Sequence, residues 1–136
     1  MSITVSWDDD AQTILRWNFV GIWTWDEFEH ELAATARRME AVPYPVSAIC
    51  DMTCSGPLPV TGSAISHMWQ ARQLAQEQLT TAIFVGSSAH VRAIIGLFCT
   101  IYRQRRDRYL FASSVEEARA LLVARQVASP SATQIP

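Results

Sequence analysis

Lysine is absent from the sequence; its 11 basic residues are all arginine, which reads as composition and not as function. Charge of either sign is scarce, at 18% of 136 residues, and the formal net charge is only −2. So even a balance provides no global field to draw in nucleic acid or an anionic membrane. No apolar run approaches the roughly 18 residues that a bilayer span requires, so no transmembrane segment is expected. Cysteine is limited to 3 residues, an odd number, and the N-terminus carries no signal-peptide pattern. We therefore expect reduced thiols in the cytoplasm and no disulfide framework. Paired carboxylates at a usable spacing, a nucleophile elbow and a glycine-rich phosphate loop are all missing, so no enzymatic activity is expected and no cofactor is implied.

What the chain does have is apolar bulk: hydrophobic residues make up 49%, with 5 Trp among them. A length of 136 residues fits one domain, able to bury roughly two thirds of its unfolded surface. We place that domain at residues 1–127 and expect a frayed tail over 128–136, where "ASPSATQIP" lacks apolar periodicity. Surplus apolar residues in so small a domain point to surface buried at a partner or a ligand.

Hydrophobic spacing orders the elements. "ITVSWDDDAQTILRWNF" alternates on either side of a polar connection and reads as a β-hairpin. "TWDEFEHELAATARRMEAV" begins with Thr24 and Glu27 at capping-box spacing, carries Phe28, Leu32, Thr35 or Ala36, and Met39 at helical intervals, and ends before Pro43 and Pro45. "VSAICDM" reads as a strand buried on both faces. "SAISHMWQARQLAQEQL" follows as an amphipathic helix whose stripe runs from Ile65 to Leu79. "TAIFVG" is a further buried strand. The helix "AHVRAIIGLFCTIYRQRR" after it is apolar on more sides than one sheet can cover. "RYLFA" and then "SSVEEARALLVARQ", capped by Ser114 and Glu117, complete a β-β-α-β-α-β-α-β-α order. Such alternation predicts a single-domain α/β sandwich: a mixed, mostly parallel sheet of about five strands with four helices.

This order, with "GIWTWDEF", "YPVSAICDMT", "FVGSSAHVRAI" and "ASSVEEARALL" at their places along it, resembles the SpoIIAA-like proteins over about residues 3 to 125. These are relatives of the STAS domain of anti-sigma-factor antagonists, with a looser similarity to lipid-carrying CRAL-TRIO domains. The resemblance implies a non-catalytic cytoplasmic module of bacterial type that regulates or senses, binding a second copy of itself or another regulatory protein. It also implies an alternative, a small carrier or sensor of an apolar ligand such as a lipid or isoprenoid, held between the third helix and the sheet. Anti-sigma-factor antagonists carry a phospho-acceptor serine just before the second helix. Here Asp51 to Thr53 resembles the residues preceding that run, and the acceptor region falls on "VTGS", where Thr61 and Ser63 stand without the usual acid.

Several residues invite chemistry. Thr61 and Ser63 lie where a helix begins, with amide groups able to hold an anion, although helix capping alone accounts for both and is the reading we favour. Asp51 is placed at the carboxyl end of a central strand and Ser87, Ser88 and His90 at the end of the next, the edge where open α/β sheets bind ligands. Cys50, Cys54, His67 and His90 lack the spacing of a zinc set, so no metal site is expected. Arg103 to Arg108 read as a complement to a helix dipole and a solvated face. Trp23, Trp25, Ile94, Ile95, Phe98 and Tyr102 make the candidate partner surface or apolar-pocket wall.

Overall fold

The computed structural model describes residues 2–59, 64–75 and 78–128. Two strands, β1 (Ile3–Trp7) and β2 (Ile14–Gly21), form the expected antiparallel hairpin, with Ile3, Val5 and Trp7 opposite Phe19, Trp17 and Leu15. Asp9 holds the connection: its carboxylate accepts from the amides of Thr13 at 2.9 Å and Ile14 at 3.0 Å, and Gln12 supplies the left-handed turn residue at φ 59°. Helix α1 (Trp25–Glu40) starts where Thr24 Oγ1 accepts from the Glu27 amide at 3.1 Å. The Glu27 carboxylate does not close the capping box; it accepts from the Ser2 amide at 3.2 Å and so ties the helix start to β1.

Strand β3 (Val46–Ser55), helix α2 (Ala64–Ala75), strand β4 (Leu79–Val85), helix α3 (Ala89–Ile101), strand β5 (Tyr109–Ala112) and helix α4 (Val115–Ala128) follow. The five strands lie in sequence order, β1 and β2 antiparallel and the remaining neighbours parallel. The expected mixed α/β sandwich with four helices is the observed one. Helices α1 and α3 bury Leu32, Met39, Ile95 and Phe98 against one face of the sheet, where Leu15, Trp17 and Ala48 point. Helix α4 covers the other face through Ala118, packed with Ile49, Ile83, Val85 and Ala112. The central strands thus alternate between two apolar environments, which is why they read as continuous apolar runs.

Three boundaries differ from expectation. Leu79 does not end the second helix: it opens β4 and pairs with Val46. Strand β3 runs on to Ser55, so Asp51 is a mid-strand residue and not a strand terminus. Helix α3 stops at Ile101, ahead of the arginine run; Arg103 takes φ 52° and Arg106–Arg108 form a 3₁₀ turn. These arginines therefore do not complement the α3 dipole from its last turn. In the C-terminal tail, residues 129–136 lie outside the described residues, while Ala128 still belongs to α4.

The hairpin is tied to α4 by one charge pair. Arg119 donates to Asp8 through Nε at 2.9 Å and Nη2 at 2.8 Å. This two-pronged hydrogen bond holds the Asp8 carboxyl below its ordinary value, burial opposing it and Arg16 adding to it. A carboxyl depressed in the folded state contributes stability above its unfolded pKa of about 4, and that contribution is lost as pH falls through the lower, folded pKa. The melting temperature is expected to drop on acidification below about pH 4, and Arg119→Gln to flatten that drop. Circular dichroism melts of both proteins between pH 6 and pH 2 check this; parallel curves would remove the pair as a cause.

Candidate functional site

At the carboxyl edge of the sheet, where the sequence predicts a crevice, the ends of β3 and β4 lie close together. Gly86, at φ 67°, packs so tightly on the β3 end that an added Cβ would stand 2.8 Å from Thr53 Oγ1 and 2.9 Å from Thr53 Cα. Only a glycine fits so close an approach at a left-handed position. Asp51 lies on the α4 side of the sheet, its carboxylate 3.5 Å from Arg16 Nη2 and accepting from the Thr53 amide at 3.0 Å. Ser88 is the α3 N-cap, accepting from the Val91 amide at 3.3 Å. Ser87 Oγ is buried without a partner, and His90 is exposed. Thr61 and Ser63 lie outside the described residues. Among the described residues no group of three or more His, Cys, Asp or Glu could hold a metal ion.

The aromatic residues come together instead, on the other face. Trp23 and Trp25 are 3% and 8% exposed, so of the two readings given them, partner surface or apolar-pocket wall, their burial fits the second. Likewise Ile95 at 4% and Phe98 at 0% are core residues, and the half-exposed apolar side chains of α3 are Leu97 and Ile101. Trp23, Trp25, Ile94, Ile95 and Phe98 all line a partly open apolar cavity of ≈ 170 Å³ between the sheet and α1, α2 and α3. Tyr102 stands outside it, stacked on Trp69 of α2 at 4.4 Å between ring centroids.

Small residues create this space. On the floor Ala48 and Ala82 are register partners on β3 and β4, flanked across the sheet by Leu15 and Tyr109, with Cys50 in the next row. In the roof Ala64, Ala71 and Ala75 recur at helical spacing along α2. Helix α2 has no fully buried residue and packs on α1 and α3 more than on the sheet. Two stacks pin it from the sides: Trp69 on Tyr102, and His67 on Trp25 at 4.3 Å with the rings 11° apart. His67 Nδ1 is 3.1 Å from Glu29 Oε1, near enough for an ion pair when the ring is protonated but misaligned for a hydrogen bond.

The wall is apolar with few polar atoms. Trp23 Nε1 donates to Ser55 Oγ at 2.9 Å, whereas Trp25 Nε1 and Thr35 Oγ1 are buried without partners. Cys50 borders the cavity, which leaves it some accessible surface, yet it lies deep enough that burial pushes its thiol up to about 12. It is a neutral wall group and no nucleophile.

The sequence holds the ingredients of this cavity, small residues at alternate positions of the central strands, Ala48 with Cys50 and then Ala82, under a helix carrying three alanines on one face, but apolar strand composition alone does not distinguish a filled layer from a hollow one.

The sheet order and the helix placement match a SpoIIAA-like fold. A solved structure of an uncharacterized DUF3478-family protein with a SpoIIAA-like fold, from Shewanella loihica PV-4, superposes with a TM-score of 0.65 at 12% sequence identity, covering 89% of this chain and 93% of that one. Neither a protein-family model nor a curated protein matches the chain by sequence. Among the described residues no helix is long and apolar enough to cross a membrane.

Proposed function

We propose that the protein is a non-catalytic binding module that holds a slender apolar ligand under α2, as a carrier or sensor. The cavity carries this proposal: ≈ 170 Å³ of space walled by aromatic and aliphatic side chains. An apolar cavity of about 150 Å³ is known to stay dry and to admit benzene. The lining spans Ala64 to Ala75 of α2, about 17 Å at the helical rise, a reach that suits an extended single chain. Self-association through α3 would rest on Leu97 and Ile101, 49% and 53% exposed, a smaller feature than the cavity. With Cys50, Cys54 and Cys99 all unpaired, we place the protein in the cytoplasm, where thiols stay reduced.

Burying a methylene is worth about 0.8 kcal/mol, or nearly fourfold in Kd. Trp17, Trp23 and Trp25 line the cavity and report on its contents. Titration with 1-hexanol, 1-octanol and 1-decanol is expected to change tryptophan emission saturably, with Kd tightening about fourfold per added methylene until the cavity is full. Emission that changes only linearly with alcohol, without saturation or chain-length dependence, would refute the proposal.

A further inference from the structure

The cavity wall adjoins a concentration of positive charge at Arg72. Four of the protein's 11 arginines, Arg72, Arg103, Arg105 and Arg108, line a solvent-open cleft with Trp69 and Gln104. That is an uneven placement for a chain of net charge −2. Arg72 belongs to both spaces: it lines the apolar cavity, and its Nε donates to Gln104 Oε1 in the cleft at 3.1 Å. Tyr109 also lines the cavity, and while burial pushes its hydroxyl up, the charges of Arg72 and Arg108 pull it down, so the field of the cleft reaches the cavity wall. Arg105 is engaged by both carboxylate oxygens of Asp107, at 3.2 and 2.8 Å. Arg103 is exposed and held in the left-handed region at φ 52°, directly after the α3 cap residue Tyr102 whose ring stacks on Trp69. A non-glycine residue adopts that conformation at a cost of about 1–2 kcal/mol, and here it falls at the rim of the cleft.

Resting on the cavity as a ligand site, we infer that the ligand is an anionic single-chain amphiphile, its hydrocarbon chain under α2 and its carboxylate or phosphate head among Arg72 and Arg103. Guanidinium groups bind such oxyanions by charge-assisted, paired hydrogen bonds. The apolar length and the cationic cleft meet at Arg72, so a single molecule spans both.

The test compares four probes by tryptophan fluorescence with the full-length protein: decanoate, decyl phosphate, methyl decanoate and 1-decanol. Both anions are expected to bind at least about tenfold more tightly than the two neutral probes at low salt, as charge-assisted hydrogen bonds do. That advantage should shrink toward unity near 1 M NaCl, where the screening length is about 3 Å. A preference for one anion over the other tells a fatty acid from a phosphorylated chain. Arg72→Gln and the exposed-site variant Arg103→Gln should each reduce the anion advantage. Equal affinity for decanoate and decanol in the wild-type protein overturns the head-group assignment while leaving the cavity ligand standing. An anion advantage that persists in both variants places the head elsewhere and also overturns it. Saturable binding by none of the four probes removes the cavity ligand itself.

Discussion

Ala82→Leu is expected to stabilise the protein by about 1–2 kcal/mol and to weaken decanol binding about 60-fold. Ala82 is 5% exposed on the floor of the cavity, beside Ala48. In a filled interior, adding the three carbons that turn Ala into Leu forces neighbours apart and costs about 1–3 kcal/mol. Here those carbons enter empty space and gain contacts, so the sign reverses. They also occupy the room of roughly three ligand methylenes, each worth nearly fourfold in affinity, which compounds to about 60-fold. Urea denaturation and fluorescence titration of the variant check both halves. Destabilisation with decanol binding intact would mean that Ala82 faces packed atoms and that the cavity is not where the ligand sits.

Phe98→Ala is expected to cost about 3–5 kcal/mol, a large share of the 5–15 kcal/mol typical of a domain. The ring is 0% exposed. It meets Tyr109 edge-on at 6.0 Å and Tyr102 at 5.5 Å, and Tyr102 in turn stacks on Trp69. Removing it deletes the contact that seats α3 on the sheet and loosens the aromatic support of α2. The denaturant midpoint should fall with the slope unchanged, because the variant unfolds from the same fold. A loss under about 1 kcal/mol would show that α3 is not anchored through this ring. The two variants are complementary, since one fills space under α2 and the other adds to it.

The ligand proposal and these variants rest on different kinds of sequence information. Apolar periodicity marked α1, β3, β4 and α3, because burial on one face or both leaves a repeat that a linear chain displays. Caps marked helix starts: Thr24, Ser88 and Ser114 each accept from an amide three residues on, a local contact that needs no tertiary partner. Where α3 stops was not local. Its sequence remains helix-compatible through the arginines, but Tyr102 docks on Trp69 and the chain reverses at Arg103, contacts made across more than 30 positions in the case of Tyr102.

Placement among the layers follows the same division. The sequence by itself determined the element order, the mixed sheet, the small side chains at Ala48, Cys50 and Ala82, and the number of bulky aromatic residues available to bury. It did not determine which way Trp23 and Trp25 turn. Both rings were equally able to cover an interface or line an interior, and only the meeting of α1 with α2, sealed by the stack of Trp25 on His67, decided for the interior. The sequence places Asp51 near Ser87, Ser88 and His90 on neighbouring strands, yet only tertiary contact decided how tightly Gly86 packs on Thr53. The cavity and its arginine rim are likewise products of packing: a volume exists only between elements, and Arg72 and Arg103, 31 positions apart, share one cleft only because α2 lies beside the end of α3.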